Sequence, residues 1–396
     1  MKRAVILSLL VFFSALGARA QQTDSIRISL LTCGAGEEIY SLFGHTAIRY
    51  ENPARGIDAV FNYGMFSFNT PNFILRFTLG ETDYQLGVSS YERFAAEYAY
   101  LKRYVRQQAL NLTRQEKLRL VELLEENCRP ENCVYRYNFF YDNCATRPRD
   151  IITKALDGSL QYADDMETPV EGLTFRHLLH QYTEGHPWAR FGMDLCMGSQ
   201  ADRPISRWEE MFVPFRLQSY FQNACITDRE GQQRPLVTEE VPLVQIKLKD
   251  LRKETGGITP LQAATLLLAV VAAATYFGIR KRKTLWVLDL LLFSCAGTAG
   301  CILAFLALFS QHPAVSPNYM LFVLHPLHLL VLPWMLKKVK NRKKSRYMVI
   351  NLVVLTLFIS LWVFIPQRFN LAVLPLALCL CLRSASNVFC KWKPEK

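Results

Sequence analysis

The sequence predicts two parts of different fold class, an α+β domain followed by an all-α bundle of about five transmembrane helices. Three observations lead to this prediction. Strand-like and helix-like segments mix up to about residue 157, and the loops between strand-like segments are too short for the crossover helices of a doubly wound sheet. Long apolar segments are concentrated after residue 257. A secretory signal peptide precedes both parts.

The N-terminus carries the features of that signal peptide. Lys2 and Arg3 precede the apolar run 4–13, and Ala18-Arg19-Ala20 is an A-x-A cleavage site. We therefore expect residues 1–20 to be removed. No cysteine directly follows the site, so the protein is not expected to be a lipoprotein itself. Export places the next domain in an oxidising compartment.

The exported part, 21–257, divides into a core of about 25–157 and an accessory part, 158–257. Alternating β-branched and aromatic residues predict strands at 25–31, 45–51, 59–63, 83–88 and 105–112. Helices are predicted at 91–104, 113–127 and 144–156. The second of these helices begins with a capping box, Thr113 to Glu116. The accessory part suggests helices at 175–182 and 206–221, a loop at 185–204 and a strand at 238–249.

The membrane part, 258–396, contains five apolar segments whose flanking charges predict their orientation. They are 259–279, 285–310, 318–336, 347–365 and 370–385, of which only the fifth is marginal in length. Basic clusters follow the first, third and fifth segments, whereas the loops between carry only Arg368. The positive-inside rule places these clusters and the C-terminus in the cytoplasm. The net charge of +12 then reflects membrane topology, and we expect no nucleic-acid partner.

The stretch Tyr137–Asp150 holds the main candidate for chemistry. Asp142 or Asn143 can cap a helix that starts at Cys144, and a helix N-terminus favours a thiolate. The best base is His45, at the start of a predicted strand, which gives the hypothesis of a Cys–His acyl-transfer site. The alternative is a buried structural cysteine, or half of a disulfide.

Further candidates surround this pair. Asn62 could orient the His45 ring as the third member of a triad, although an ordinary turn explains it equally. Cys33 is the rival nucleophile, but it precedes a Gly-rich turn and lacks a helix dipole. Arg147 and Arg149 could hold a phosphate or phospholipid head group, or could pair with a carboxylate.

Six cysteines lie in the exported part, and two disulfides are conceivable. Cys128 with Cys133 is the simplest pairing, and Cys33 with Cys196 is a possible second one. A histidine pair at helical spacing, His177 and His180, is more often surface than a zinc site. We expect neither a metal nor a cofactor.

Four short motifs occur together and in order, namely Leu42–Arg49, Asn62–Phe66, Asp142–Thr146 with Arg149 and Asp150, and Gly192–Asp194 with Ala201–Asp202. With these motifs the chain resembles the Lnb family, the lipoprotein N-acyltransferases of Bacteroides-type bacteria. Histidine before cysteine also resembles the permuted papain-like (NlpC-like) group, which includes lecithin–retinol acyltransferase. Ala145 departs from the family, since many relatives are expected to have a small hydroxyl residue there.

The resemblance implies a reaction. Cys144, helped by His45, would take an acyl chain from a membrane phospholipid as a thioester and pass it to the α-amino group of a diacylglyceryl-cysteine apolipoprotein. Tyr63 and Arg49 lie in the motifs and join Arg147 and Arg149 as expected substrate-binding residues. The aromatic residues expected to line an acyl entrance are Phe66, Phe68, Phe73 and Phe77. The protein would lie in the lipid bilayer of the bacterial inner (cytoplasmic) membrane, with its catalytic domain in the periplasm.

Two other functions stay open. The same Cys–His pair could serve a peptidase or amidase acting on cell-wall peptide, but hydrolysis needs no membrane bundle. A non-enzymatic sensor or scaffold would keep its function when Cys144 becomes alanine.

Overall fold

A computed structural model of the chain describes residues 25–67, 69, 71–246 and 256–390. The expected signal peptide, Phe68 and most of the expected linker lie outside the described residues. Within them, a mixed α/β domain is followed by a bundle of apolar helices. The predicted fold class is therefore confirmed.

The exported domain is built on a seven-stranded sheet. Its strands are β1 Arg27–Cys33, β2 His45–Asn52, β3 Ile57–Met65, β4 Asp83–Ser90, β5 Val105–Leu110, β6 Val134–Arg136 and β10 Val237–Val244. The sheet is antiparallel, with the strand order β10-β5-β1-β2-β3-β4-β6. A second sheet contains β7 Ser159–Gln161, β8 Cys225–Thr227 and β9 Gln233–Pro235. These three-residue strands are shorter than the alternation that identifies a strand, so the sequence did not predict them.

Eight α-helices lie in the described part of this domain. They are α1 Phe73–Leu79, α2 Tyr91–Tyr100, α3 Arg114–Asn127, α4 Thr146–Ala155, α5 Phe175–Tyr182, α6 Pro187–Cys196, α7 Arg207–Glu210 and α8 Pro214–Gln222. The prediction of a loop at 185–204 was wrong, because Pro187–Cys196 form α6. Pro187 is the first residue of this helix, where the backbone N–H that proline lacks would have no partner within the helix. Similarly, Pro214 divides the expected helix 206–221 into α7 and α8.

The two faces of the sheet carry different helices. Leu30 and Ile48 pack in the cluster that includes α3 and α4, whereas Leu31 and Ala47 pack against α2. Successive residues of a strand point to opposite faces. The face of the sheet therefore decides which motif residues can meet.

The helical bundle has helices at all five predicted apolar segments, but these helices differ in length and one of the segments is broken. Its helices are α9 Pro260–Arg280, α10 Trp286–Phe309, α11 Leu327–Leu330, α12 Leu332–Lys340, α13 Arg346–Ser360 and α14 Val373–Phe389. In the described residues, α9 and α10 are each long and apolar enough to cross a membrane, while α13 and α14 are shorter apolar helices. The expected third span is bent by 76° between α11 and α12. Pro326 and Pro333, which lack the N–H of a regular helix, lie at the starts of these two pieces.

Polar side chains fasten the exported domain to loops of the bundle. Asn318 Nδ2 donates to the carbonyl oxygen of Leu195 at 2.8 Å, and Asn370 Nδ2 donates to Asp194 Oδ2 at 3.0 Å. The buried Arg176 holds Asp194 Oδ1 at 2.9 Å and Asp202 Oδ1 at 2.8 Å. The motif residues Asp194 and Asp202 thus join the two parts of the chain.

Candidate functional site

A cavity of about 410 Å³ opens at one end of the large sheet, and Cys144, His45 and Asn62 all line it. His45 is the first residue of β2, and Asn62 lies near the end of β3. Since β2 and β3 are antiparallel, these positions lie at the same end of the sheet. Three residues singled out in the sequence therefore meet in one place.

Two motif glycines are required by the backbone at this point. Gly44 has φ +81°, and a Cβ there would lie 2.7 Å from the carbonyl oxygen of Cys33. Gly64 has φ +91°, and its Cβ would lie 3.5 Å from Cys144 Cβ. Both conformations are left-handed, which disfavours residues with a side chain. Glycine at these positions brings the ends of the strands close to Cys144.

Asn143 fixes the start of α4 and with it Cys144. Its Oδ1 accepts from the backbone N–H groups of Ala145 at 2.7 Å and Thr146 at 2.9 Å, while its Nδ2 donates to the carbonyl oxygens of Phe139 and Phe212. Asn143 thus supplies the hydrogen bonds expected of a capping side chain. Asp142 pairs with an arginine instead. The predicted helix start at Cys144 was wrong by two residues, because α4 begins at Thr146 with Ala145 as its N-cap, so Cys144 lies in the turn just before the helix.

The thiol of Cys144 is neutral, contrary to the expectation of a thiolate. Burial raises its pKa to about 11. The backbone N–H groups of Thr46 and Cys144 and the charge of Arg103 lower the pKa, but they offset only part of the effect of burial. A helix start alone did not determine the charge, because desolvation opposes the thiolate more strongly.

His45 is also neutral. Burial and the nearby Arg103 lower its pKa to about 4, against the opposing effect of a hydrogen bond to Asn62. Its Nε2 lies 3.3 Å from Asn62 Oδ1, which can only accept. Nε2 therefore carries the proton, and Nδ1 is left to accept one. This hydrogen bond is the contact by which Asn62 was expected to orient the His45 ring.

The raised pKa gives a prediction for thiol reactivity. At neutral pH, alkylation of Cys144 by iodoacetamide is expected to be about 10²-fold slower than that of free cysteine, because about 10⁻⁴ of the thiol is ionised. The alkylation rate should then rise about tenfold per pH unit towards pH 11, because the thiolate fraction rises tenfold per unit as long as the pH is below the pKa. Peptide mass spectrometry after timed alkylation measures this rate. An alkylation rate that is already constant at or below pH 7 would show that Cys144 is a thiolate before any substrate binds, and would contradict the raised pKa.

Cys33 is a poorer nucleophile than Cys144. It is fully buried opposite His45 in the β1–β2 register and does not line the cavity. Burial raises its pKa to about 12, against a hydrogen bond from Tyr98 and the charge of Arg103. The structure therefore favours Cys144 over its rival.

Neither expected disulfide is present, since all eleven cysteines are free thiols. Cys128 caps the end of α3, while the thiol of Cys133 donates to the carbonyl oxygen of Pro130 at 3.6 Å. Cys33 lies in the central strand β1, whereas Cys196 ends α6. Closeness in sequence and an exported location were insufficient to predict the pairing.

Tyr63 does not reach the cavity. As the neighbour of Asn62 in β3, it points to the opposite face of the sheet, where it joins the core with α3 and α4. Its hydroxyl accepts from Asn127 Nδ2 at 2.8 Å. The structure gives Tyr63 a packing role in place of the expected substrate contact.

The three arginines expected to bind substrate are already paired and do not line the cavity. The pairs, with their shortest N–O distances, are Arg147 with Asp142 at 2.5 Å, Arg149 with Asp150 at 2.7 Å, and Arg49 with Asp58 at 2.7 Å. Arg149 also donates to the carbonyl oxygen of Trp208 at 3.0 Å and lies 4.0 Å above its ring. These contacts agree with the alternative given for Arg147 and Arg149 from the sequence, in which the arginines pair with carboxylates and not with a phosphate.

Arg103 lines the cavity and was not singled out in the sequence. Its Nε donates to the carbonyl oxygen of Gly34 at 2.8 Å. Its Nη2 is buried and has no hydrogen-bond partner among the residues that the structure describes. It lies in the turn between α2 and β5, where a basic residue is ordinary, so no local signal distinguished it.

An exported-type α+β domain fastened to an apolar helical bundle defines a membrane-anchored protein. Residues 12–181 match the Lnb N-terminal periplasmic domain, and residues 252–395 match the Lnb transmembrane domain. The chain therefore belongs to the Lnb family, and it is a membrane protein with an exported domain. Membership of this family suggests an enzyme. No curated protein and no solved structure matches the chain.

Proposed function

We propose that this protein is a lipoprotein N-acyltransferase that works through a thioester on Cys144. The observation that carries the proposal is the meeting of Cys144, His45 and Asn62 in one cavity of a membrane-anchored Lnb protein. The donor is a membrane phospholipid, and the acceptor is the α-amino group of a diacylglyceryl-cysteine apolipoprotein.

The first step moves the acyl group to the enzyme. His45 Nδ1 takes the thiol proton while Cys144 Sγ bonds to the carbonyl carbon of the donor ester. The ester C–O bond breaks, and the lysophospholipid leaves with the proton from His45. Starting from a neutral pair avoids separated charges in the buried site before the donor arrives.

The second step moves the acyl group to the lipoprotein. The neutral α-amine attacks the thioester carbonyl, His45 takes a proton from the amine, and the C–S bond breaks as the amide forms. The proton then returns to the sulfur. The backbone N–H groups of Thr46 and Cys144, which face Cys144 Sγ, are the proposed donors to the oxyanion in both steps.

The proposed location follows from the substrates and the charges. Both substrates are lipids of the inner membrane, and docking on the bundle holds the exported domain close to them. The basic clusters after the first, third and fifth apolar segments would face the cytoplasm. We therefore propose a multi-pass protein of the bacterial inner membrane with the cavity on the periplasmic side.

A reconstitution tests the reaction directly. The purified full-length protein is incubated with diacyl phosphatidylethanolamine, and its intact mass is measured. One added acyl group that hydroxylamine removes, with release of lysophospholipid, is expected. Adding a diacylglyceryl lipopeptide should discharge the acyl group onto its α-amine. No adduct and an unchanged lipopeptide would overturn the proposal, and cell-wall peptides would be the next substrates.

The contact between Asn62 and His45 predicts a kinetic effect. Asn62→Ala is expected to slow formation of the acyl-enzyme roughly 10²-fold, because the ring loses the contact that orients it. The same change should lower the pKa of His45 further, since the contact favours the protonated ring. Asn62→Asp should raise that pKa, because a carboxylate stabilises the imidazolium.

The pH profile of acylation separates orientation from general damage to the fold. The acid limb should move to higher pH in Asn62→Asp and to lower pH in Asn62→Ala. An acid limb that stays in place in both variants would contradict the role of this contact.

A further inference from the structure

A second cavity, of about 440 Å³, lies between the exported domain and the bundle. Its walls come from both parts of the chain, including Phe73 and Phe77 of α1, Met193 of α6, and Pro313 and Val315 of the loop after α10. None of the described residues that line it is Asp, Glu, Lys or Arg. Its volume is within the roughly 300–1,000 Å³ of small-molecule sites.

The apolar cavity adjoins the cavity of Cys144. Four aromatic residues line both, namely Tyr40, Phe66, Tyr84 and Tyr137. The rings of Tyr84 and Tyr137 stack with their centroids 4.1 Å apart, and Phe66 lies 5.0 Å from Tyr84. A chain attached to Cys144 would pass along this aromatic wall to enter the apolar cavity.

The aromatic wall continues to the bundle. Phe66 stacks on Phe73 at 5.9 Å, Phe73 stacks on Phe77 at 6.0 Å, and Phe77 meets His312 at 5.5 Å. His312 belongs to the loop after α10, and its Nε2 donates to the carbonyl oxygen of Phe77 at 2.6 Å. The rings therefore line a route from the thiol to the membrane part of the chain.

Helix α1 presents an apolar surface at the bundle end of this route. None of its residues is buried, and Ile74 is 80% exposed, with Leu75 and Phe77 also exposed. An exposed apolar patch in a soluble domain marks a binding or membrane surface. Its contact with the loop after α10 places this surface beside the bundle, where lipid chains lie.

We propose that the second cavity binds the fatty acyl chain of the donor, and of the thioester on Cys144, and that its walls select the chain length. The inference deepens the proposed function and rests on it. A peptide would leave backbone donors and acceptors unpaired in such a lining, whereas an acyl chain has none. The first cavity, which carries Arg93, Glu97 and Arg103, is the more polar of the two. A phospholipid is likewise polar at its head group and apolar along its acyl chain. Its ester lies between the two, as Cys144 would between the polar and the apolar cavity.

Changing the volume of the second cavity at Met193, which lines it, should change the preferred acyl chain. Met193→Trp fills the cavity, and Met193→Ala enlarges it. The full-length protein is given an equal mixture of dilauroyl, dimyristoyl, dipalmitoyl and distearoyl phosphatidylethanolamine, and the acyl groups on Cys144 are compared by mass. We expect the lauroyl-to-palmitoyl ratio to rise about tenfold in Met193→Trp and to fall in Met193→Ala, because each methylene in an apolar pocket affects discrimination.

The ratio within one sample does not depend on how much protein is active. Leu118→Trp is the matched control, because it adds the same ring to α3 at an exposed side chain that lines neither cavity. It should keep the wild-type ratio. Wild-type ratios in both Met193 variants, or an equal shift in Leu118→Trp, would overturn the assignment of the cavity.

A second measurement separates this inference from the proposed reaction. A phosphatidylethanolamine with a diazirine at the end of its acyl chain is crosslinked to Cys144→Ala, which forms no thioester. Crosslinks on α6 or the loop after α10 are expected, and Met193→Trp should remove them. Crosslinks confined to the lipid-facing sides of α9 and α10 would overturn the cavity as the acyl site. Crosslinks in the cavity without a thioester in the wild type would instead refute the reaction alone.

Discussion

Cys144→Ala is expected to abolish the acyl-enzyme and to lower N-acylation on the order of 10⁶-fold, because the variant has no atom that can carry the acyl group. Cys33→Ala should transfer acyl groups at close to the wild-type rate, since Cys33 lies outside the cavity lining. The pair of variants therefore tests which cysteine reacts, because each variant removes one thiol.

The measurement is the mass of the N-terminal lipopeptide of a host lipoprotein. It is taken from cells that lack this protein and are re-supplied with the wild type or either variant. An additional acyl group on the α-amine should be present with wild type and Cys33→Ala, and absent with Cys144→Ala. Identical lipopeptides in all samples would refute the acyltransferase function and favour a sensor or scaffold.

Arg176→Met is expected to lower the free energy of unfolding by about 3–5 kcal/mol, the usual cost of removing one partner from a buried ion pair. Arg176 is 1% exposed and contacts the carboxylates of Asp194 and Asp202, whose side chains are 2% and 8% exposed. It also donates to the carbonyl oxygens of Met197 and Gly198 at 3.1 Å. Methionine keeps much of the volume but leaves these acceptors without the arginine donor.

Arg106→Met is the matched control, because Arg106 pairs with Glu240 at 2.8 Å but its side chain is 55% exposed. Exposed pairs contribute about 0–1 kcal/mol. Denaturant unfolding of the full-length protein in detergent, followed by tryptophan fluorescence, measures both variants. Equal losses would contradict the special role of Arg176. Burial raises the pKa of Asp194, but the hydrogen bonds from His180 and Asn370 and the charge of Arg176 lower it by more, so that its pKa is below the usual value. The stability that Asp194 contributes is therefore fully present at neutral pH, and it is lost as the pH falls from the pKa of the unfolded state through the lowered pKa of the folded state.

The sequence predicted local features well where neighbouring residues determine them. The capping box from Thr113 to Glu116 is present, and the side chain of Asn143 accepts from the backbone N–H groups of Ala145 and Thr146 at the start of α4. The strand patterns placed His45 and Asn62 near strand ends, and the structure brings them together with Cys144. These predictions succeeded because periodicity and capping act within a few residues.

Other features depend on contacts distant in sequence. The charge state of Cys144 follows from burial, which a helix start does not reveal. Arg49 pairs with Asp58 on the neighbouring strand, and Arg103 reaches the cavity through the packing of α2 and β5. Tyr63 shows the limit of motif reasoning, because its adjacency to Asn62 places it on the other face of the sheet.

The docking of the exported domain on the bundle has a kinetic consequence. Asn318 and Asn370 of the bundle donate to Leu195 and Asp194 of the exported domain. The reactive thiol therefore stays at a fixed height above the membrane and meets only molecules that diffuse in the plane beside it. Its search is two-dimensional, so the encounter rate follows the number of substrate molecules per unit area of bilayer. Diluting a vesicle suspension with buffer should leave turnover unchanged, whereas diluting the substrate with inert lipid should slow it in proportion.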